Sequence, residues 1–533
     1  MKNTFFKFYL FCFFIGFIGI GAKAQEKKPN VLFIICDDLN DYEGAFGGHK
    51  QALTPNIDKL AASGIKFINA QTNVPVCQPS RNSLFTGVYP HDSKDFGWTD
   101  HTKQAVLKNN KTMMKYFQDN GYLTLGSGKL THGSSGSDWD QWGMDLANNY
   151  GPFYFDGTKR VANPSVPPPF NSIGAVDGSF GRLSEAVSNG VKGEKGWVYG
   201  RNNEPMRYIN DNDRELLQDE MHAQWAVKKL KEMENSENNP PFFMGIGFVR
   251  PHLPLHAPDK YFDLFPLDKI EMDRWLTDDE KDTFYKQNIT DKNLNINPDK
   301  EDGGDKGPRY YKTLLESYGG NREVALKHFL QAYLACVAFV DDQVGVIMDA
   351  LNKSKFKDNT IVVFTADHGW QMGEKSYLFK NSPWEESTRI PLIIKAPGIK
   401  VGGKVEHPVS LIDLFPTLID FASLKGATIK NDAGETLGGF SLRPFFENPE
   451  TKKWSGPNGA LTLVGNFGNI TSTEKQNYSY RTLDWRYIRY SDGNEELYDH
   501  SVDPYEWTNL AADKKNEKIK KQLEKEMNLI INK

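Results

Sequence analysis

The chain has 533 residues, enough for one large domain and a smaller one, and its 39% hydrophobic and 25% charged residues are ordinary for a globular protein. Its formal net charge is −5 and it carries no basic stripe, which argues against nucleic acid as a partner. A sulfated or phosphorylated substrate is not excluded, because a local basic pocket can lie on an acidic surface.

The first 24 residues have the pattern of a signal peptide. Lys2 and Lys7 form a positive start, the apolar run 8–20 follows, and Ala22-Lys23-Ala24 matches an A-x-A cleavage site. That run of about thirteen residues is short for a membrane span, and no second apolar run reaches membrane length. We therefore predict cleavage after Ala24 and export to the periplasm or the exterior, with no membrane partner for the mature chain. Cleavage removes three lysines and no acids, which makes the formal charge −8.

Short apolar runs rich in β-branched residues or phenylalanine predict buried strands at Asn30–Cys36, Tyr122–Gly126, Phe242–Val249, Thr360–Thr365 and Pro391–Lys395. Helical patterns lie between them, at Thr54–Ser63, Thr112–Asn120, Glu220–Glu234 and Phe329–Leu351. This alternation predicts an α/β fold in which helices cover both faces of a large, mostly parallel sheet. The stretch 150–214 is rich in Gly, Pro, Asn and Ser, and we predict long loops there that line a substrate cleft.

The pattern changes near Pro449. Short alternating runs follow, and a charged helical segment closes the chain near 513–528. We therefore predict a catalytic domain over 25–449 and a small C-terminal α+β domain with an antiparallel sheet over 450–533.

Acids, histidines and cations follow four of the predicted strands, at the ends where ligands bind in open α/β sheets. In chain order they are Asp37 and Asp38; Lys129 and His132; Arg250 and His252; Asp367 and His368. Any single pair could be a helix cap or a surface group, but four pairs at equivalent strand ends indicate one common site.

Three aspartates that converge at one sheet edge repel one another unless a cation lies between them. Carboxylate oxygens suit a hard divalent ion, Ca²⁺ or Mg²⁺. The basic residues Arg81, Lys129 and Lys380 would surround the same place. A metal ion together with cationic side chains describes a pocket for a tetrahedral oxyanion.

Cys77 stands apart from the other cysteines. After signal cleavage Cys36, Cys77 and Cys336 remain, an odd number for an oxidising compartment. Cys36 and Cys336 lie inside apolar runs, which predicts that they are small buried hydrophobes. Cys77 lies instead among polar and turn-forming residues, in VPVCQPSRNSLFTG.

These motifs, in this order, resemble the type I sulfatase family. They are Asp37-Asp38, the C-x-P-S-R sequence at Cys77 with the following SLFTG, Gly128-Lys129, and Asp367-His368-Gly369. The resemblance runs from about Asn30 to about Phe421, with a family-like tail in ELYDHSVDPYEWTNL. The segments GKLTH, RPHLPLHAPDKYFDLFP and DHGWQMGEKSYLFK resemble the iduronate-2-sulfatase-like subgroup. The family has an alkaline-phosphatase-like sandwich fold.

The resemblance implies that a maturation enzyme oxidises Cys77 to formylglycine. One hydroxyl of the hydrated aldehyde would attack sulfur, and the other would later expel sulfate. Five ligands to one divalent metal ion are implied, Ca²⁺ first and Mg²⁺ second: Asp37, Asp38, the modified Cys77, Asp367 and His368. Many relatives have asparagine at the position of His368, and a nitrogen ligand suits Ca²⁺ less well than an oxygen.

The resemblance also implies roles for the remaining catalytic candidates. Arg81 would pair with the formylglycine hydroxyl, and Lys129 and Lys380 with sulfate oxygens. His132 would assist breakdown of the covalent intermediate, and His252 would act as the general acid at the leaving oxygen.

Four further residues are candidates for substrate contact, with packing as the alternative: Asp95, Trp98, His101 and Trp370. The sequence thus predicts an exported sulfatase acting on a sulfated polysaccharide or its oligosaccharides, with a uronic-acid-containing glycan such as ulvan or a glycosaminoglycan as the expected substrate. The alternatives are a phosphomonoester or phosphodiester hydrolase of the same superfold, or a catalytically dead carbohydrate-binding relative.

Overall fold

The computed structural model describes residues 28–132, 136–143, 150–200, 202–237, 239–272, 275–284, 306–399, 402–465 and 472–533. The predicted signal peptide lies outside these residues. Among the helices that the structure describes, none has both the length and the apolar character needed to cross a membrane.

The elements of the described chain have the following bounds. The strands are β1 (Asn30–Asp37), β2 (Ile65–Phe67), β3 (Ala70–Gln71), β4 (Leu123–Gly128), β5 (Gln141–Trp142), β6 (Phe153–Phe155), β7 (Arg160–Val161), β8 (Phe180–Arg182), β9 (Ser188–Asn189), β10 (Gly196–Tyr199), β11 (Glu204–Asn210), β12 (Asp213–Arg214), β13 (Phe242–Pro251), β14 (Leu255–Ala257), β15 (Thr360–Ala366), β16 (Arg389–Ile390), β17 (Leu392–Lys395), β18 (Gly403–Val405), β19 (Val409–Ser410), β20 (Ala460–Val464), β21 (Asn477–Arg481), β22 (Trp485–Arg489) and β23 (Glu495–Asp499). The helices are α1 (Pro55–Ser63), α2 (Cys77–Thr86), α3 (Pro90–Ser93), α4 (Met113–Asp119), α5 (Gln218–Glu234), α6 (Asp259–Asp263), α7 (Lys306–Ser317), α8 (Arg322–Lys353), α9 (Glu385–Thr388), α10 (Leu414–Phe421), α11 (Arg443–Glu447) and α12 (Glu517–Ile531).

A central eight-stranded sheet forms the framework, in the order β18-β2-β17-β15-β1-β13-β4-β5. Within this sheet β17 runs antiparallel to its neighbours β15 and β2, and the other pairings are parallel. Every residue of β1, β13 and β15 is buried, because helices such as α5 and α8 pack against the sheet. The prediction of a mostly parallel sheet flanked by helices is confirmed.

Strand register brings the predicted site residues to one edge. Cys36 of β1 is paired with Ala366 of β15, and Asp37 with Pro251 of β13. Gly247 of β13 is paired in turn with Gly128 of β4. Since these strands are parallel, their carboxyl ends open on the same side, and the polar residues that follow each strand meet there.

Within the stretch 150–214, which was predicted to be long loops throughout, six short segments form a second sheet. Strands β6, β7, β9, β10, β11 and β12 pair antiparallel in it. For these segments the prediction of loops was wrong, because most of the strands have only two to four residues, too few to show alternation. Only β11 alternates over seven residues. Trp197 of β10, fully buried, anchors the sheet to the core.

The C-terminal region has the predicted antiparallel sheet, in the order β20-β21-β22-β23. The charged helix α12 packs on it through the buried side chains Leu523 and Met527. The strand β23 was not predicted, because EELYD reads as polar and its Leu497 and Tyr498 are buried only in the assembled sheet. The exact domain boundary at 449 stays a prediction.

Buried ion pairs join this sheet to the larger domain. Arg486, which is 0% exposed, pairs with Glu385 of α9 and with Glu506. His500 Nε2 lies 2.9 Å from Glu506 Oε1, and Arg481 Nε lies 3.3 Å from Glu385 Oε2. The cluster of Glu385, His500 and Glu506 has the spacing of metal ligands. Because two guanidinium groups already balance its two carboxylates, we interpret it as a structural ion-pair network.

We expect Arg486→Ala to lower the free energy of unfolding by about 3–5 kcal/mol, since removing one partner leaves buried carboxylates uncompensated. Urea denaturation followed by circular dichroism measures the change. Lys521→Ala is the control, because its side chain is 69% exposed and its pair with Glu517 is a surface contact, so no measurable change is expected. Equal stability of the Arg486 variant and the wild type would contradict the assignment.

Candidate active site

The first strand delivers two aspartates to the edge of the sheet. Asp37 ends β1, and Asp38 follows with a φ of 61°, a left-handed conformation that aspartate tolerates. The backbone of Asp38 is held on both sides: its N–H donates to Asp367 Oδ1 (3.3 Å), and the Tyr333 hydroxyl donates to its carbonyl (2.7 Å). Both carboxylates are buried. The turn after β1 therefore aims two acids into the interior of the site.

Cys77 is the first residue of α2, and Arg81 lies one turn later on the same face of that helix. The hydroxyls of Ser80 and Thr72 both donate to the carbonyl of Asp367, at 2.7 and 2.6 Å, and so fix α2 to the end of β15. All ten residues of α2 are buried. The buried helix thus holds Cys77, which is 1% exposed, in a fixed position.

Four side chains have the arrangement of a metal site. Asp37, Asp38, Cys77 and His368 each offer a ligand atom, and these atoms all lie within 4.8 Å of one another. Asp37 Oδ1 and Asp38 Oδ2 are buried and accept no hydrogen bond, which is costly for a carboxylate and is relieved by a cation. His368 Nδ1 donates to Gly369 O (3.1 Å), so its Nε2, 3.4 Å from Cys77 Sγ, carries a lone pair. The donor set fits a divalent cation.

Asp367, the remaining predicted ligand, is engaged differently. Its Oδ2 accepts from Arg81 Nε at 2.8 Å, and its Oδ1 accepts from the backbone N–H groups of Asp38 and His368, at 3.3 and 3.0 Å. Asp367 Oδ2 lies 3.6 Å from His368 Nε2, beside the cluster rather than within it. Its role as a direct ligand stays a prediction.

Two lysines face the aspartates. Lys380 Nζ lies 2.8 Å from Asp38 Oδ1 and 3.0 Å from Cys77 Sγ, and Lys129 Nζ donates to Asp37. Burial opposes the charged form, but Asp38 holds the pKa of Lys380 well above its ordinary value, and Asp37 does the same for Lys129. Both ammonium groups therefore stay charged and can bind an anion.

The two aspartates titrate differently. Burial, reinforced by the charge of Asp37, raises the pKa of Asp38 above its ordinary value, although Lys380 opposes this. Burial acts in the same direction on Asp37, but Lys129 and Arg81 hold the pKa of Asp37 well below its ordinary value. Arg81 adds a contact of 3.5 Å from Nη2 to Asp37 Oδ1.

The predicted histidines lie on either side of a tyrosine. His132 Nε2 is 2.9 Å from the Tyr150 hydroxyl, and the ring of His252 stacks on the Tyr150 ring at 4.5 Å. His252 Nδ1 donates to Leu253 O, and its Nε2 points towards Asp38 Oδ2, 3.6 Å away. Burial, together with Lys129, lowers the pKa of His132 to about 3, and burial with Lys380 lowers that of His252. Both rings are therefore neutral at neutral pH, and a bound anion would favour the imidazolium that a general acid needs.

The four predicted substrate contacts differ in exposure. Trp98 is 44% exposed and its ring lies 4.9 Å from that of His132, so it can stack on a sugar. Asp95 is buried and accepts from Asn82 of α2 at 2.7 Å, which favours support of that helix. His101 is buried near Asp138, at 3.8 Å, and Trp370 packs edge-on against Phe379. Their roles towards substrate stay predictions.

Two residues of the site were not found from the sequence. Tyr150 lies in a stretch without periodicity, and Tyr333 lies inside the long helix α8. Neither belongs to a local motif, because each is brought to the site by contacts across eighteen or more residues of chain. No signal in the sequence alone distinguishes them from packing tyrosines. By contrast, Cys36 and Cys336 are buried, as predicted, and the structure shows them as free cysteines.

A mostly parallel sheet whose carboxyl edge carries a buried set of acids, a helix-mounted residue 77 and flanking lysines defines a hydrolase of the alkaline-phosphatase-like class. The chain belongs to the sulfatase family: the family model described as Sulfatase matches residues 29–424. A second model, described as N-sulphoglucosamine sulphohydrolase, C-terminal, matches residues 373–533. The protein is thus a sulfuric ester hydrolase.

Individual proteins agree with this assignment. The chain is 33% identical to a sulfatase of Formosa agariphila over 525 residues, 96% of this chain and 89% of that protein. It is 28% identical to iduronate 2-sulfatase of Mus musculus over 442 residues, 78% of this chain and 72% of that protein.

Solved structures share the fold. A protein in complex with its substrate D-glucosamine-2-N,6-O-disulfate superposes with a TM-score of 0.65 at 22% identity, over 94% of this chain and 97% of that one. A phosphonate monoester hydrolase of Agrobacterium radiobacter gives 0.65 at 21% identity, over 94% and 95%. At these identities the likeness establishes the fold alone.

Proposed function

We propose that this sulfatase is exported and removes sulfate from sugar residues of a uronic-acid-containing polysaccharide, such as a glycosaminoglycan or ulvan, or from its oligosaccharides. The nucleophile would be formylglycine, made from Cys77 by a maturation enzyme. One observation carries the proposal: Cys77 Sγ lies 3.0 Å from Lys380 Nζ and 3.4 Å from His368 Nε2, inside the acidic cluster. A group at this position meets both an anion-binding ammonium and the candidate metal site.

The unmodified thiol is a poor nucleophile in this place. Burial, with the charge of Asp37, raises the pKa of Cys77 although Lys129 and Lys380 oppose this, so the thiol stays protonated at neutral pH. A hydrated aldehyde supplies two hydroxyl groups at the same carbon, one for attack on sulfur and one for release of sulfate. The environment of Cys77 therefore favours the modified residue over a cysteine enzyme.

Asp37, Asp38 and His368 would hold one divalent cation together with residue 77, and Asp367 would assist from beside them. Ca²⁺ is the proposed ion and Mg²⁺ the alternative, since carboxylate oxygens dominate the donor set. When bound, the cation would neutralise the acids and polarise an ester oxygen.

The other side chains would bind sulfate, orient residue 77 and transfer protons. Lys129 and Lys380 stay charged and would bind sulfate oxygens, while Arg81, fixed by Asp367 at 2.8 Å, would orient the hydroxyl of residue 77. His132, neutral at neutral pH, would accept a proton during sulfate release. His252 would give a proton to the leaving sugar oxygen.

Three observations support the sugar substrate and export. The likeness to iduronate 2-sulfatase covers 78% of the chain. The exposed ring of Trp98 offers a stacking surface beside His132. The first 24 residues have the pattern of a signal peptide.

We expect the matured enzyme to hydrolyse an aryl sulfate with a kcat/KM at least about a hundredfold above that for the matching aryl phosphate. The comparison tests the alternative, a phosphoester hydrolase of the same fold, which the structural likeness to a phosphonate monoester hydrolase leaves open. Preference for the phosphate would refute a sulfatase site.

A panel of sulfated uronic-acid oligosaccharides, with sulfated galactan oligosaccharides as the control, tests the substrate class by the release of sulfate. Binding without turnover by protein that carries formylglycine would favour the catalytically dead carbohydrate-binding relative instead.

A further inference from the structure

Tyr150 contacts three of the six predicted catalytic side chains. Its ring stacks on His252, with centroids 4.5 Å apart and an interplanar angle of 23°. The ammonium of Lys129 lies 4.5 Å from the centroid of the same ring. Its hydroxyl is 2.9 Å from His132 Nε2. One side chain therefore links the proposed general acid, a sulfate-binding lysine and the proposed base.

Tyr150 is held in place by Arg250, at the end of β13. The buried guanidinium of Arg250 donates to the carbonyls of Tyr150 (3.2 Å) and Gly151 (2.9 Å). The same group donates to the carbonyls of His252 (3.4 Å) and His256 (2.9 Å). The planar guanidinium of Arg250 thus fixes the backbone next to both stacked rings, those of Tyr150 and His252.

The frame around Arg250 is itself anchored. The carboxylate of Asp219, in α5, accepts from the N–H groups of Val249 and Arg250, both at 2.9 Å. These residues lie in the buried strand β13. The distance between Tyr150 and His252 is therefore set by the core of the domain and not by the loop that carries the tyrosine.

We propose that Tyr150 is a positioning residue, which orients His252 and Lys129 through its ring and His132 through its hydroxyl. Stacking restricts rotation of the His252 ring, and the π face holds the ammonium of Lys129. The hydroxyl restricts the orientation of the His132 ring. This inference rests on the proposed function, because it takes the roles of the three catalytic residues from there.

Two variants separate the two parts of the side chain. Tyr150→Phe keeps the stacked ring and the face that contacts Lys129, and it loses the hydroxyl that contacts His132 and interacts with Lys129. Tyr150→Leu loses the ring as well, and so releases His252 and Lys129. Tyr154→Leu is the matched control, since Tyr154 lies four residues away in β6 and packs edge-on against Trp197.

Steady-state kinetics on aryl sulfates with phenols of rising pKa tests the proposal. For Tyr150→Phe we expect kcat to fall about tenfold while kcat/KM changes less than about threefold, because His132 acts after the phenol has left. For Tyr150→Leu we expect kcat/KM to fall about 10- to 100-fold, with a loss that grows as the phenol becomes a poorer leaving group. A loss of kcat/KM that increases with the pKa of the leaving phenol indicates a misplaced general acid, because poorer leaving groups depend more on protonation.

A purely structural role would give another result. Losses of kcat/KM in Tyr150→Leu that are equal for every leaving group, or that match those of Tyr154→Leu, would overturn the proposal. An unchanged kcat in Tyr150→Phe would remove the part that concerns His132. The failure of the proposed function is distinct, because it would appear as sulfatase activity retained by Cys77→Ala, whatever the Tyr150 variants do.

Discussion

Replacement of Cys77 by alanine is expected to lower kcat for an aryl sulfate by about 10⁵- to 10⁶-fold, the size of loss seen when a covalent nucleophile is removed. The methyl group of alanine leaves Asp37, Asp38 and His368 in place, but it provides no group that can attack sulfur. Little compensation is possible, since Cys77 is 1% exposed at the start of the buried helix α2. Sulfate release and phenol release, measured on protein produced with a formylglycine-generating enzyme, report the loss.

Cys336→Ala is the matched control for this variant. Cys336 is a buried, unpaired cysteine in α8, away from the acids that surround Cys77. We expect a small loss of stability from the smaller side chain and an unchanged kcat. Full activity of Cys77→Ala would refute the assigned nucleophile, and a comparable loss of activity in both variants would indicate a general effect of losing a buried cysteine.

Removal of the divalent cation is expected to lower kcat by about a thousandfold or more, since charge stabilisation by a metal ion contributes several kcal/mol. Asp38→Asn should have a comparable effect. It removes the charge of a carboxylate whose Oδ2 is buried and accepts no hydrogen bond, and this oxygen is therefore a candidate ligand of the cation. Dialysis against a chelator, followed by return of Ca²⁺ or Mg²⁺ one at a time, should restore activity to the wild type but not to the variant.

Binding itself gives a readout that does not depend on activity. A cation at a hundred times its Kd stabilises the folded state by about 2.7 kcal/mol, which raises the Tm. We expect this increase for the wild type and its loss in Asp38→Asn. Asp341→Asn is the control, since this buried carboxylate caps α1 by accepting from the N–H groups of Asn56 and Ile57. Asp341→Asn should have a lower Tm than the wild type, but addition of the metal ion should still raise its Tm. An equal increase in Asp38→Asn would place the cation elsewhere.

The sequence was sufficient for the framework of the site because each of its main strands is a continuous apolar run. Asn30–Cys36 and Thr360–Thr365 were predicted within one residue at each end. Once these strands are parallel, the residues after them must share an edge. For this reason the sequence alone predicts that Asp37, Asp38 and His368 meet, and the structure adds the distances between their side chains.

What the sequence did not reveal depends on contacts between distant segments. The hydrogen bond from Arg81 to Asp367 spans 286 residues, and it engages an oxygen of Asp367 beside the cluster. Tyr150 reaches His252 across about a hundred residues, from a stretch predicted to be loop. Periodicity reports which face of an element is buried, but not which partner covers it. Such pairings follow only from the folded chain.

Mass spectrometry of the tryptic peptide 67–81, which contains Cys77, tests the central claim most directly. We expect protein produced with a formylglycine-generating enzyme to show the mass of the aldehyde in place of the thiol, and its sulfatase activity to rise in proportion to the aldehyde fraction. Full sulfatase activity in protein whose peptide carries only the unmodified thiol would contradict the account.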